Sequence, residues 1–440
     1  MESLTLSLKQ QFVRHKSRID LLYRYVTGQG LVQIFNVVTG FLLLRWLTID
    51  DQAKYTFAFS LQAAMSVLAD LGFSGSIIAL VGSQIYDKER VGNYIAAARY
   101  FRRRFLLISF ILGGFSIPFL TQQQAWDWQT KFLLLVPILC TIYLQGAVSY
   151  YAAPIQIHRQ LKAFYTIQVV QALIRLVLCS LLYTTGYLTV YGALWLYNAS
   201  LLWTGLAYRR TASAFQIQPK VIDRAIKADM LAYLKPMIPS LVFNAFYGQI
   251  TVFLITYYGK QSSVAELGAL TRLGQLFALL NTFNAVVIAP FIARLSVAQL
   301  LRAYIRILIG ALSIASLITA LVWIYPNGFL WLLGSKYTQL DRELKLFVLN
   351  QSLLYIGSVL WSMHAARKWI FGFNSWIYII GLVLIQLFIV RRYNLSTVYD
   401  VIRASLLSTG FILLLHIETG LIGWFVKGKH AVSSKLDPTL

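Results

Sequence analysis

The sequence predicts an all-α integral membrane protein of about twelve spans, set as two groups of six. Three observations carry that prediction. Of the 440 residues, 58% are hydrophobic and 12% charged, where a soluble chain carries about 25% charged residues. Apolar runs long enough to cross a hydrocarbon core, which takes about 20 residues, recur along the whole chain. The longest polar connection between them, "RRTASAFQIQPKVIDRAIKAD" at 209–229, falls near the middle and divides the runs six and six.

The first run, 25–47, opens on "YRYVTGQG". Gly28 and Gly30 stand in its first turn, where glycine costs about 1 kcal/mol relative to alanine. The second run, 55–81, holds the clearest intramembrane acid, Asp70. The third, 104–122, follows the basic stretch "RYFRRR" (99–104), which reads as a surface segment bound to anionic lipid. Trp126 and Trp128 sit before the fourth, 132–152, as interfacial aromatics. The fifth, 163–184, carries Arg175, and the sixth is 188–208. The seventh, 231–258, opens on "YLKPMIPS", broken by Pro236 and Pro239. The eighth, 264–291, carries Arg272 and ends at Pro290. The ninth to twelfth are 303–325, 346–364, 373–390 and 402–425. The last holds "LLHIETGL", where His416 and Glu418, two apart, point to different faces of a helix. The expected domains are a first bundle (1–208), a cytoplasmic linker (209–230), a second bundle (231–425) and a cytoplasmic tail (426–440).

The formal net charge is +23. Nucleic acid is not the reading, because the cations lie in short segments between apolar runs. With the N-terminus inside, 27 of the 39 Lys and Arg residues fall on the cytoplasmic side and nine outside. That bias sets an N-in, C-in orientation. The exception is Arg391, Arg392 and Arg403, which fall outside. Arg45, Arg175 and Arg272 lie within spans, and Arg45 reads as an interfacial anchor. Residues 1–20 show no secretory signal pattern, so the first span is expected to persist. Cys140 and Cys179 lie in apolar runs without metal-ligand spacing, and no catalytic or metal-binding constellation stands out.

Shifted by 210 residues, Leu21, Tyr23, Leu31 and Val32 meet Leu231, Tyr233, Leu241 and Val242. The glycines of one copy meet a region broken by Pro236 and Pro239 in the other, with Arg24 beside one break and Lys235 beside the other. Interrupted spans at matching positions of two halves point to a transport site.

Here the chain resembles a known family. "LLLRWLTIDDQAKYTFAFSL" (42–61), "LADLGFSGSIIALVG" (68–82), "KPMIPSLV" (235–242) and "VAELGALTRLGQL" (264–276) look like polysaccharide-exporting flippases of the multidrug/oligosaccharidyl-lipid/polysaccharide (MOP) superfamily. The resemblance implies two six-helix bundles around a central cavity, alternating access, and bends in the first and seventh spans. It also implies a multi-pass protein of the bacterial cytoplasmic membrane, a substrate that is a polyprenyl-diphosphate-linked oligosaccharide such as an O-antigen unit, and polysaccharide polymerase machinery as a partner. A monomer is expected to suffice, with membrane lipids around it and no nucleic acid.

Such a flippase forms no covalent bond and needs no cofactor beyond a coupling ion. It shelters a dianionic headgroup, which suits arginine: the guanidinium stays charged and spans two phosphate oxygens. Intramembrane charges mark pathways. Arg24, Arg175, Lys235 and Arg272 are therefore the candidate headgroup ligands. Asp70 and Glu418 are candidate charge partners or sites for a coupling proton or sodium ion. Gly28, Gly30, Pro236 and Pro239 are the candidate bends. Amides on spans one, seven and eight (Gln29, Gln33, Asn36, Asn244, Gln249, Gln275, Asn281, Asn284) either staple helices or line a polar lumen.

Two other readings compete. A drug or cation antiporter of the same superfamily would share the fold but calls for acids in the lumen. A polymerase or ligase enzyme would carry a large outer loop, and the outer loops here are short.

Overall fold

The structure is a computed structural model that describes residues 27–82, 84–369 and 371–433. Among these residues there are helices and turns and no strand. In chain order the helices are α1 (Thr27–Trp46), α2 (Ile49–Asp70), α3 (Phe73–Val81), α4 (Lys88–Leu120), α5 (Trp128–Ile157), α6 (Leu161–Thr184), α7 (Val190–Ala212), α8 (Arg224–Leu234) and α9 (Ile238–Tyr247). They continue as α10 (Ile250–Tyr258), α11 (Gln261–Phe283), α12 (Ala289–Arg294), α13 (Val297–Ile324), α14 (Pro326–Leu333), α15 (Asp341–Ala366), α16 (Gly372–Arg392) and α17 (Val398–Ser433).

Every run read from the sequence is helical. Among the described residues, eight helices are long and apolar enough to cross a membrane, or up to ten spans if each of two bent pairs counts as one. α7 and α11 occupy the sixth and eighth runs. Each has 23 residues, a reach of about 35 Å at 1.5 Å per residue. Arg209 and Arg210 stand in the last turn of α7, and Glu266 and Arg272 lie within α11.

The third run begins earlier than its hydropathy suggested. α4 starts at Lys88, so the basic stretch 99–104 is helical and continuous with the span. The apolar window alone could not show this, because the helix extends past the hydrocarbon at its polar end.

The breaks have local causes. Between α2 and α3, Leu71 and Gly72 take left-handed conformations, φ 41° and 80°. Asp70 then caps the next helix: its carboxylate accepts from the Ser74 hydroxyl at 2.5 Å and the Ser74 amide at 3.3 Å. The axes bend by 43°. Leu71 is held there although a left-handed residue with a Cβ costs about 1–2 kcal/mol. In the seventh run, Pro236 lies in the turn between α8 and α9, and Pro239 in the first turn of α9. Proline is tolerated at that position because the first amides have no helical partner. A second break, at Gly248–Gln249, bends α9 against α10 by 44°. The eighth run widens into a π-helix at Asn284–Ile288 before Pro290. Gly28 and Gly30 lie in the first turn of α1; the residues before Thr27 are outside the described residues. A Cβ on Gly28 would stand 2.5 Å from the Tyr165 ring, whereas Gly30 faces open space.

The chain forms two compact units. The first comprises the described part of Met1–Leu47 with Ala58–Phe119 and Trp126–Gln249; the second comprises Thr48–Phe57, Leu120–Ala125 and the described part of Ile250–Leu440. In the first unit α5 packs chiefly on α7, and α7 on α6. Small residues let α5 and α7 approach: a Cβ on Gly205 would meet that of Ala147 at 3.1 Å. Asn198 staples the pair. Its amide donates to the Pro137 carbonyl at 3.0 Å and accepts from Thr141 at 2.7 Å. In the second unit α15 is the central helix, against α13, α17 and α11. Asn350 accepts from Thr409 at 2.7 Å and donates to Ser405 at 3.2 Å. Thr319 meets Ser352 at 2.9 Å, and Asn374 donates to Thr419 at 2.7 Å. In lipid, such bonds are part of what holds helices together.

Candidate functional site

Among its described residues the first unit holds a buried charge pair. Arg102 on α4 meets Asp70 at 3.1 Å, with side-chain exposures of 5% and 18%. Its second terminal nitrogen donates to the Ile142 carbonyl on α5 at 2.7 Å. Room for the guanidinium comes from Gly146, where a Cβ would collide with it. Asp70 therefore serves two neighbours, the Arg102 guanidinium and the start of α3. Of the three consecutive arginines, Arg102 turns inward while Arg103 and Arg104 stay exposed. This departs from the surface role that the sequence suggested for the whole stretch. The reason is helix phase: residues one apart cannot share a face.

Arg175, on α6, is buried. Its guanidinium lies 5.5 Å above the centre of the Tyr197 ring on α7. The centre of that ring lies 5.2 Å from that of Phe59. Among the described residues no acid stands within ion-pair distance of Arg175. Its Nε is buried without a hydrogen-bond partner among them. The ring face attracts the cation but accepts no proton, so the terminal donors keep their capacity for an oxyanion.

The second unit also sets an arginine over a tyrosine ring. Arg272, half-buried on α11, lies 5.4 Å above the ring of Tyr55. Tyr55, on the first turns of α2, is itself almost fully buried. One turn earlier on α11, Gly268 lets Thr56 approach so closely that an added Cβ would overlap the threonine side chain. The glycine thus seats the start of α2 directly against α11. Each unit holds one deep arginine on a tyrosine face, a contact worth about 0.5–2 kcal/mol depending on desolvation.

The remaining candidates are dispersed. Lys235 follows α8 as an exposed residue of the first unit. Arg24 lies outside the described residues. Glu418 is exposed on α17. His416, by contrast, faces inward, its ring 6.3 Å from that of His364. His364 is fully buried and shares a hydrogen bond of 2.9 Å with the Tyr304 hydroxyl. Sequence reasoning missed His364, Tyr304, Tyr55, Tyr197 and Arg102. The usable signal was Gly146 and Gly268, two glycines inside spans, each of which accommodates a neighbour's polar side chain.

Asn198, Asn350 and Asn374 staple helices, and the sequence had picked out other amides, on spans one, seven and eight. Of the latter, Asn284 is fully buried in the π-helix with both amide atoms unbonded among the described residues. π-turns of this kind often mark functional positions.

Several solved structures share this fold. An inward-facing multidrug resistance MATE family transporter of the MOP superfamily superposes with a TM-score of 0.63 at 16% identity, covering 93% of this chain and 96% of its own. The lipid II flippase MurJ, in an inward closed conformation, gives 0.66 at 12% identity, covering 89% and 86%. A MOP superfamily transporter from Pyrococcus furiosus, described with a binding pocket of reversed polarity that suggests a different function, gives 0.57 at 16% identity, covering 95% and 96%. No curated protein sequence matches the chain. The family model described as polysaccharide biosynthesis protein matches residues 23–296. That match takes in α1 to α12, both deep arginines and the buried Asp70–Arg102 pair. The chain, a multi-pass membrane protein with the fold of MOP-superfamily transporters, belongs to the polysaccharide biosynthesis protein family.

Proposed function

We propose that the protein flips polyprenyl-diphosphate-linked oligosaccharide units, O-antigen or other surface-polysaccharide precursors, from the cytoplasmic to the outer leaflet of a bacterial inner membrane by alternating access. One observation carries this reading: the use made of the deep charges. Asp70, the deep acid of the first unit, is occupied by Arg102. Arg175 and Arg272, the deep cations the sequence picked out, each lie over a tyrosine ring. A cation carrier needs a carboxylate facing its substrate, whereas an anion carrier needs held, charged donors. The family supports a sugar polymer as the end product, and MurJ gives a precedent for a lipid cargo on this fold.

In this reading the diphosphate passes along Arg175 and Arg272, with Arg24 and Lys235 at the cytoplasmic mouth. The protein lowers the cost of taking a dianion through hydrocarbon and makes no covalent bond. A coupling proton or sodium ion would bind at the remaining acids, Glu418 first among them. Polymerase machinery takes the product on the outer face.

Cells lacking the protein, and lacking a redundant exporter, are expected to accumulate lipid-linked repeat units facing the cytoplasm, measured by protection of their sugars from an impermeant oxidant in spheroplasts. Export at the normal rate would refute the reading. Drug resistance on overexpression, with no polysaccharide phenotype, would support the antiporter instead.

A further inference from the structure

A pocket outside the transport residues lies where α4 leaves the apolar region. The segment after α7 folds back along the first turns of α4 and is pinned at both ends. The Ile217 amide donates to the Lys88 carbonyl at 2.9 Å. Gly92 lies under it so closely that any Cβ would strike the Ile217 backbone. At the other end the Asp223 amide donates to Asn93 at 3.3 Å. Between these anchors a cavity of about 270 Å³ opens, whose polar lining includes Arg99, Tyr100, Arg103, Gln218 and Lys220. Three cations converge there, and among the described residues no carboxylate lines it.

The cations are placed, not merely present. Arg99 donates to the Tyr151 hydroxyl at 3.4 Å and lies 5.7 Å from the Tyr150 ring. Tyr100 carries Arg104 at 4.4 Å and Lys227 at 4.3 Å from its centre, which sets two more positive charges at the rim. The same face of α4 then turns apolar. Leu107, Ile111 and Phe115 follow Arg103 at four-residue steps and are 63%, 50% and 73% exposed. Residues four apart stack on one side of a helix. A headgroup-sized basic pocket thus continues into an apolar stripe of acyl-chain character. The positive-inside bias puts this end of α4 at the cytoplasmic surface.

We propose that this pocket binds the phosphate of an anionic lipid, with its chain lying along Leu107, Ile111 and Phe115. Scattered snorkelling cations would explain a basic surface. They would not explain a linker fastened over a cavity that all three face. The phosphate can come from a phospholipid phosphodiester or from a polyprenyl diphosphate. The inference does not depend on which lipid is transported.

The test is native mass spectrometry of the full-length protein titrated separately with phosphatidylglycerol, phosphatidylcholine and a polyprenyl diphosphate. Phosphatidylglycerol is expected to be retained at an at least tenfold lower concentration than phosphatidylcholine. The double variant Arg103→Gln/Lys220→Gln should lose that preference at least fivefold. A control with two equally exposed cations outside the pocket, Arg209→Gln/Arg210→Gln, should keep it. Retention of the polyprenyl diphosphate at a lower concentration than phosphatidylglycerol would assign the pocket to the isoprenoid lipid, and at a higher one to a resident phospholipid. Equal losses in the pocket and control variants, or no loss in the pocket variant, would overturn the site; Arg103→Gln alone gives the same reading if the double variant fails to fold.

Discussion

Replacing Asp70 with alanine is expected to destabilise the protein by about 3–5 kcal/mol, because it strands a buried arginine without its counter-charge. The Arg102 side chain is 5% exposed, and its other terminal nitrogen is tied to the Ile142 carbonyl on α5. The loss should appear as a lower unfolding midpoint in detergent and as less protein in the membrane. Removing both charges in Asp70→Ala/Arg102→Met should recover most of the loss, since an apolar pair of similar volume is often neutral in such places. Recovery will be incomplete, because the Ser74 amide and hydroxyl lose their cap at the start of α3. If instead Asp70→Asn keeps full stability and abolishes dependence on an ion gradient, Asp70 is the coupling site and its bond to Arg102 is secondary.

The second large effect is on transport. Arg272→Ala should reduce export by about one to two orders of magnitude, with the protein present at normal levels; a hydrogen bond to a charged group is worth about 1.5–3 kcal/mol. Arg272→Lys should not restore it. Lysine offers a point charge, whereas the guanidinium lies over the Tyr55 ring and can span two phosphate oxygens at once. Tyr55→Leu should give an intermediate loss, because the cation stays but its platform goes. Full export by Arg272→Ala, combined with a lower unfolding midpoint, would assign the residue to packing.

These two cases show how much the sequence made legible. The spans were readable because a bilayer demands about 20 apolar residues at a time, and every run identified proved helical. Pro236 and Pro239 were readable as a break because proline excludes itself from a helix interior. The sharp bends at Leu71–Gly72 and Gly248–Gln249 were not. They depend on which residue accepts a left-handed φ and on which glycine yields under packing. Asp70 stood out as an acid in an apolar run, but its partner did not. Arg102 sits among three consecutive arginines, and only the phase of α4 against Gly146 selects it. The deep arginines were visible, whereas Tyr55 and Tyr197, each more than twenty residues away in sequence, become their platforms only through helix packing. The exposed position of Arg103 and Arg104 in the stretch 99–104 was readable. What the sequence could not show was that Lys220, from the linker, closes over it.

The central claim is that the pathway carries a lipid-linked anion. The most direct measurement is transbilayer movement of a polyprenyl-diphosphate oligosaccharide in vesicles that hold only the purified protein. An impermeant oxidant added outside reports which sugars are exposed. The prediction is that the inner-leaflet pool becomes accessible with time, that Arg272→Ala vesicles behave like protein-free ones, and that a lipophilic cation does not compete. An inner pool that stays protected in vesicles of the folded wild-type protein, while the same vesicles exchange the cation, would contradict it.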